Sequence, residues 1–439
     1  MEGERGGNVV RMKISPHEGI NAEITVPGDK SISHRALMIG AIANGRTRVQ
    51  NFLDSDDTFA TMEILRAMGI EIERKESEVI VEGAGLYGLS EPENVLDARN
   101  SGTTMRLCLG LLAGQNFYAV ITGDDSLRKR PMKRVIEPLS KMGAKFFARQ
   151  NNSLAPITVV GNRNLKPITY ETPVASAQVK SAILLAGLYA DGDTTVVEPA
   201  RSRDHTERML RSFGVQVDEV DTAVTVHGPA DELQAKDIFV PGDISSAAFF
   251  IIAGLIMKDS ELVIKNVGLN PTRTGILTVL REMGGDITVV NERTVNYEPI
   301  GDLVVRSSEL NGVEIKGDII PLLIDEIPIL AIAASQANGK TSVRDAQELR
   351  YKETDRIKAI TTELRRLGVE IEERPDGFDV YGKQKIKGGC TCESYKDHRI
   401  AMSLAIAGLV AQEPVEINEF ECVNISFPNF VDILNSFDR

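Results

Sequence analysis

Six times along the 439-residue chain an apolar helix pattern rich in small residues runs into a short β-type segment. The copies are HRALMIGAIANGRTRV from His34, TMRLCLGLLAGQNFYAV from Thr104, QVKSAILLAGLYADGDTTV from Gln178, SAAFFIIAGLIMKDSELVI from Ser246, IPILAIAASQANGKTSV from Ile327 and RIAMSLAIAGLVAQEPVEI from Arg399. A second signature keeps the same beat. LRAMGIEIE, LSKMGAKFF, LRSFGVQVD, LREMGGDIT and LRRLGVEIE place Gly69, Gly143, Gly214, Gly284 and Gly368 at intervals of 70 to 84 residues, and ILNSFD resembles a shortened sixth copy. A unit of that length is one supersecondary element, too small to bury its own apolar face, so the units must share cores. Each reads as strand, helix, strand, helix and one or two further strands, with the LRxMG glycine at the C-cap of the second helix.

How the cores are shared follows from a second duplication. VPGDKSISHRA from Val26 and VPGDISSAAFF from Val240 repeat one phrase 214 residues apart, close to half the chain. Three units per half give two domains, expected over 26–240 and over 1–25 plus 241–439. The leading segment NVVRMKISP alternates like a strand and is left over from the first half, so it is expected to complete the second, with two chain crossings between the halves. Alternation of strands and helices makes the fold class α/β, or α+β if each half closes around its helices.

Composition narrows the function. A hydrophobic share of 42% with 26% charged residues is that of a globular protein with large cores. The net charge of −13 argues against nucleic acid or an anionic membrane as the main partner, so any anion site must be local. The longest uncharged stretch, Leu107 to Gly123, is shorter than the roughly 20 apolar residues that a membrane span requires. The N-terminal MEGERGGNVVRMKISPHEG lacks the apolar core of a secretory signal, and the expectation is a cytoplasmic monomer. Cys108, Cys390, Cys392 and Cys422 form no CxxC pair and have no zinc-type histidine spacing, so structural thiols and no metal or other cofactor are expected.

The repeated first helices are apolar along their length and polar where they begin. Those starts read DKSISHR (Asp29 to Arg35), NSGTTMR (Asn100 to Arg106), SAQVK (Ser176 to Lys180), DISS (Asp243 to Ser246), Asp325-Glu326 and KDHR (Lys396 to Arg399). Ser, Thr, Asn and Asp there are ordinary N-caps. Caps do not require Lys30, Arg35, Arg106 or Arg399 in the first turn, where a cation opposes the helix dipole. Free N–H groups with Lys or Arg beside them make an anion pocket for phosphate or carboxylate. LRKRPMKR (Leu127 to Arg134), ARSRDHTER (Ala200 to Arg208) and LRYKETDR (Leu349 to Arg356) each precede a second helix, so they recur at one structural end of the repeat. In the last string Lys352 and Arg356 are spaced to share a helical face with Glu353 beside them. Glu353 and Asp325 are the acid/base candidates.

Taken together and in this order, DKSISHR, NSGTTMR, RPMKR, SAQVKSAILLAGL, RSRDHTE, Asp325-Glu326 before IPILA, RYKETDR, KDHRIAMS and SFPNF resemble the 5-enolpyruvylshikimate-3-phosphate synthases from about Met12 to Phe437. The resemblance implies two domains, each of three βαβαββ units around buried helices, with the active site in the cleft between them. It implies transfer of the enolpyruvyl group of phosphoenolpyruvate to the 5-hydroxyl of shikimate 3-phosphate, with release of phosphate and no cofactor. Lys30, Gly102, Arg130, Gln178, Arg356 and Arg399 would hold phosphoenolpyruvate. Lys30, Ser31, Arg35, Ser176, Ala177, Gln178, Arg203, Asp325 and Lys352 would hold shikimate 3-phosphate. Lys30, Asp325 and Glu353 would stand nearest the moving protons, and Gly102 would leave room for glyphosate, an anionic competitor of phosphoenolpyruvate. CVNISFP puts Ile425 where many members carry a lysine, Glu348 stands in place of the usual Asn, and RSRDHTE points to the second of the family's two sequence classes.

Two other readings compete. A related enolpyruvyl transferase acting on UDP-N-acetylglucosamine would carry Lys-Asn instead of Lys30-Ser31 and a reactive cysteine loop. A six-unit DNA clamp would line a hole with Lys and Arg, whereas these first helices are basic at one end only.

Overall fold

The computed structural model describes residues 11–75 and 77–437. Asn8, Val9 and Val10 of the expected leading strand lie outside them, and the strand itself runs Arg11–Ile14. Among the described residues there are six small sheets, five of four strands and one of three.

The repeat has one construction, and the apolar helix is its centre. Leu96–Asp97 runs parallel to Tyr118–Thr122, and a parallel pair needs a crossover, supplied here by the helix Gly102–Ala113. An antiparallel pair, Leu154–Val160 and Lys145–Ala148, completes that sheet. The same order recurs with Thr169–Glu171 beside Thr194–Val197 across the helix Ala177–Gly187, and with Glu314–Ile315 beside Gly339–Val343 across Ile327–Gln336. In the first repeat the parallel edge strand is Ile238–Phe239, laid along Asn44–Gln50. Asn21–Thr25, which precedes that repeat in sequence, pairs instead with Glu261–Gly268 of the fourth. Arg11–Ile14 joins Val415–Asn418 of the sixth. The leading strands therefore complete sheets of the later repeats.

The chain divides into two compact bodies. One holds residues 28–241 with Thr294–Glu298; the other holds the residues up to Pro27, Gly242–Arg293 and 299 onward. The breaks fall within the duplicated Val-Pro-Gly-Asp phrase, at Pro27–Gly28 and Pro241–Gly242. In the first body Asp29 N–H donates to Pro241 C=O at 2.8 Å, and in the second Asp243 N–H donates to Pro27 C=O at 2.9 Å.

Each body has its own apolar core built on three first helices: Lys30–Ala41, Gly102–Ala113 and Ala177–Gly187 in one, Ile244–Ile256, Ile327–Gln336 and His398–Leu409 in the other. Being apolar all round, these helices can only be interior. Small residues let them approach: a Cβ at Gly110 would stand 2.3 Å from the carbonyl of Ala182 on the neighbouring helix. Phe427 and Phe430 of the SFPNF string pack on Phe250 with centroids at 5.8 and 5.4 Å, so that string is core and not site. The expected glycine C-cap needs a shift of one residue. Gly143 is the cap itself, but Gly69, Gly214, Gly284 and Gly368 follow the cap residue, at φ of +87° to +96°. There the chain reverses through a left-handed residue that glycine adopts without strain.

Candidate active site

In the body of residues 28–241 the polar residues collect at the N-terminal ends of the three buried helices. Asp29, Ser101 and Ser176 are the N-caps, accepting from Ile32, Thr104 and Val179 N–H at 2.9, 3.2 and 3.5 Å. Lys30 opens the first helix and reaches Asp57 at 3.1 Å, with both side chains only partly exposed. Arg35 is buried one turn on. Its Nε donates to Thr206 Oγ1 at 2.6 Å, one terminal nitrogen to Ser31 C=O at 2.9 Å and the other to Ser181 Oγ at 2.8 Å. Burial lowers the Arg35 pKa to about 10 against the opposing pull of Glu207 and Asp29. Burial, then Lys30 and Arg35, also hold the His34 imidazole well below its usual range, and its Nδ1 lies 2.6 Å from Thr61 Oγ1.

A second group meets around Gly102. A Cβ there would stand 2.9 Å from a terminal nitrogen of Arg106 and 3.4 Å from one of Arg130. Arg106 donates to Gln178 Oε1 at 2.6 Å, Gln178 donates to Thr103 Oγ1 at 3.0 Å, and Arg130 donates to Asn100 Oδ1 at 2.8 Å. Two guanidinium groups and a carboxamide thus surround a helix start with no side chain in the way, an arrangement suited to a small anion.

In the other body Asp325 is the hub. Its Oδ1 accepts from Lys352 and from Arg356, both at 3.1 Å, and its backbone carbonyl accepts from Arg399 at 3.1 Å. Arg356 is fully buried and also donates to Glu353 at 2.6 Å and Asp397 at 2.8 Å. Burial works against its charge, but Asp397, Glu353 and Asp325 outweigh that and raise its pKa above the ordinary arginine value. Asp397 in turn caps the His398–Leu409 helix by accepting from Arg399 N–H at 2.9 Å. Four carboxylates and three cations, with Glu326 3.7 Å from Arg399, therefore interlock at one end of this body. The spacing argument for Lys352 and Arg356 fails locally. Gln347–Tyr351 is a 3₁₀ turn, Lys352 is extended, and the helix starts only at Arg356 behind its cap Asp355. The two cations share Asp325 without sharing a helical face.

A family model for EPSP synthase (3-phosphoshikimate 1-carboxyvinyltransferase) matches residues 14–434. The chain belongs to the EPSP synthase family. It is 65% identical to the 3-phosphoshikimate 1-carboxyvinyltransferase of Petrotoga mobilis over 97% of this chain and 98% of that one. It is 53% identical to that of Bacillus subtilis over 98% of this chain and all of the relative. The solved EPSP synthase of Acinetobacter baumannii superposes with a TM-score of 0.88 at 45% identity, covering 97% of this chain and 98% of that one. The enolpyruvyl transferase NikO of Streptomyces tendae, at 18% identity and a TM-score of 0.79 over 97% of each chain, shares the fold. The protein is a 3-phosphoshikimate 1-carboxyvinyltransferase of the shikimate pathway, a two-domain α/β enzyme.

For an EPSP synthase, the residues singled out in the sequence fall into three groups: Lys30, Ser31, Arg35, Ser176, Ala177 and Arg203 around the first and third helix starts; Gly102, Arg130 and Gln178 together; and Asp325, Lys352, Glu353, Arg356 and Arg399 together. Ile425 ends a 3₁₀ turn and packs against the apolar core. Sequence reasoning missed Arg273, which donates to Asp243 at 3.1 Å and Ser245 at 2.5 Å, and it gave no role to Glu326, which accepts from Ser245 Oγ. It missed the buried Glu198 and gave no role to the buried Lys180 and Glu207, which stand inside strings it had singled out. An isolated charge inside an apolar string was the available signal for Lys180, and nothing local marked the carboxylates. Cys108, Cys392 and Cys422 are buried free thiols, and burial raises the Cys108 and Cys422 pKa values to about 12. Among the described residues no helix is long and apolar enough to cross a membrane.

Proposed function

We propose that the enzyme joins phosphoenolpyruvate to the 5-hydroxyl of shikimate 3-phosphate and releases phosphate, using Lys30, Asp325 and Glu353 to move protons. A proton reaches the methylene carbon of phosphoenolpyruvate, and the 5-hydroxyl oxygen bonds to the adjacent carbon as it gives up its own proton. The tetrahedral adduct then loses a proton from the new methyl group while its carbon–oxygen bond to phosphate breaks, restoring the double bond. The observation that carries this reading is the Asp325 hub, where one carboxylate and its carbonyl gather Lys352, Arg356 and Arg399. These bonds fix the orientation of the carboxylate, and a base held in place beside a hydroxyl is positioned for proton transfer.

In this reading Lys30, Gly102, Arg130, Gln178, Arg356 and Arg399 hold phosphoenolpyruvate. Lys30, Ser31, Arg35, Ser176, Ala177, Gln178, Arg203, Asp325 and Lys352 hold shikimate 3-phosphate. Arg35 serves through Ser31, whose carbonyl it holds. The enzyme acts as a cytoplasmic monomer, and glyphosate competes for the Gly102 end. A phosphate-release assay tests the reaction: release is expected only with both substrates present, and UDP-N-acetylglucosamine in place of shikimate 3-phosphate should give none. Release with that second acceptor would overturn the acceptor assignment.

A further inference from the structure

Inside the body of residues 28–241 lies a cluster of charges that the reaction does not use. Lys180 Nζ stands 2.8 Å from Glu198 Oε2 and 2.8 Å from Glu207 Oε1, and all three side chains are at most 3% exposed. Glu207 also attracts Arg35, a buried cation that is itself one of the proposed acceptor ligands. Such clusters are poor stabilisers, because desolvation costs about as much as the ion pairs return and a well-packed apolar core does as well.

The position of the cluster suggests another use. Glu198 Oε1 accepts from the backbone N–H of Ser176 at 2.9 Å, immediately before the third buried helix. Its Oε2 accepts from Ser202 N–H at 3.3 Å and from Ser202 Oγ at 2.7 Å. Lys180 closes the ring by donating to Ser202 C=O at 3.3 Å. The carboxylate and the ammonium thus tie the Ser176 turn to the segment carrying Arg203, through bonds directed at backbone. Glu207 completes the arrangement from the helix that follows, whose Thr206 accepts from Arg35.

We propose that Glu198 and Lys180 form a positioning pair that sets affinity for the phosphorylated acceptor, by fixing the spacing between the Ser176–Ala177 helix start and Arg203. This rests on the reading that Ser176 and Arg203 bind shikimate 3-phosphate. Fixed spacing matters because a donor set misplaced by a fraction of an ångström loses charge-assisted bonds to a phosphate oxygen.

The test uses the full-length enzyme with each substrate varied in turn, and calorimetric binding of shikimate 3-phosphate alone. Glu198→Gln and Lys180→Met are each expected to raise the KM and Kd for shikimate 3-phosphate by about tenfold or more, leaving the KM for phosphoenolpyruvate within about twofold. The double variant keeps one acceptor oxygen at position 198 and no longer leaves a buried charge short of its partner, so it should regain part of the loss. Ser202→Ala, a milder change that serves if the buried-charge variants do not fold, should weaken shikimate 3-phosphate several-fold in the same selective way. Equal shifts for both substrates, or no shift in a folded variant, would overturn the proposal. Arg203→Ala separates the two levels. If it leaves the Kd for shikimate 3-phosphate unchanged, the reading of the site falls; if it weakens binding while Glu198→Gln and Ser202→Ala do not, only the positioning pair falls.

Discussion

Arg356 shows why a guanidinium and not an ammonium stands at the centre of the second charge group. Its Nε and both terminal nitrogens each serve a different carboxylate, Asp397, Asp325 and Glu353, while the side chain is fully buried. A planar fork of fixed donors can do this, whereas the single ammonium of a lysine there could not reach three carboxylates in three directions. Arg399 is the less committed neighbour, spanning Asp325 C=O and Glu326. Arg399→Ala and Lys30→Ala are each expected to lower kcat/KM by on the order of a hundredfold or more, since each removes charge aimed at developing anions. Steady-state phosphate release checks this, and turnover within a few-fold of the parent in either variant would reject the anion pockets. Gly102→Ala is a subtler case. The added methyl would press on Arg106 at 2.9 Å, the far end of a flexible chain, so the fold should survive while Arg106 is pushed from Gln178. The expected result is a KM for phosphoenolpyruvate and a glyphosate inhibition constant that rise together; glyphosate sensitivity unchanged from the parent would remove Gly102 from that pocket. At this scale the sequence exposes the residues that face outward at helix starts, because a cation in a first turn contradicts the dipole. It hides the roles of Glu198, Glu207 and Glu326, whose meaning comes from partners distant in sequence.

At the scale of elements, the register shift in Glu261–Gly268 between Ile264 and Val267 is a bulge that needs a holder. Asn266 sits there at φ +54°, a left-handed conformation that an asparagine tolerates. Asp302 on the paired strand accepts from Asn266 N–H at 2.8 Å and from Asn291 at 2.8 Å, and pairs with Lys265 at 2.7 Å. Burial favours the neutral acid, but these three donors outweigh it and hold the Asp302 pKa down at about 2. A carboxyl depressed on folding stabilises the folded state above its unfolded value near 4, and loses that contribution as pH falls towards 2. Asp302→Asn should therefore lower the melting temperature at pH 7 and flatten its dependence between about pH 4 and 2. Parallel acid-melting curves for variant and parent would show that the carboxylate does not hold the bulge. No such feature is legible in ELVIKNVG, since a bulge is defined by the partner strand. The LRxMG glycines were legible to within one residue, because a left-handed reversal leaves few alternatives to glycine. The 3₁₀ turn at Gln347–Tyr351 was not, its spacing being equally that of a helix.

At the scale of the whole molecule, the chain passes from one body to the other within the duplicated Val-Pro-Gly-Asp phrase, which identical strings make visible in the sequence, and again around Thr294–Glu298, which no repeat marks. The strand exchange could be read only in part, since Ile238–Phe239 is two residues long and carries no pattern of its own. The first crossing is sterically tight. A Cβ at Gly28 would lie 2.0 Å from Asn51 C=O, a backbone atom that cannot swing aside. Gly28→Ala should thus destabilise the fold by about 1–3 kcal/mol, visible as a lower denaturation midpoint. A midpoint unchanged from the parent would mean that the crossing yields freely.

The two crossings also make a prediction about ligand binding. The proposed shikimate 3-phosphate ligands lie on both sides of them, with Ser31, Ser176 and Arg203 before Pro241 and Asp325 and Lys352 after it. A ligand that engages both groups must slow the opening of both, whatever the stability of each body alone. Hydrogen exchange with shikimate 3-phosphate added should therefore show protection in three places together: the starts of the Lys30–Ala41 and Ala177–Gly187 helices, the turn Ile324–Glu326, and Gln347–Tyr351 with the start of the Arg356–Arg366 helix. Arg203→Ala should diminish the protection after Pro241 as well as before it, since loss of affinity releases every contact at once. Protection confined to residues 28–241 would assign the acceptor to those residues alone and remove Asp325 and Lys352 from its ligands.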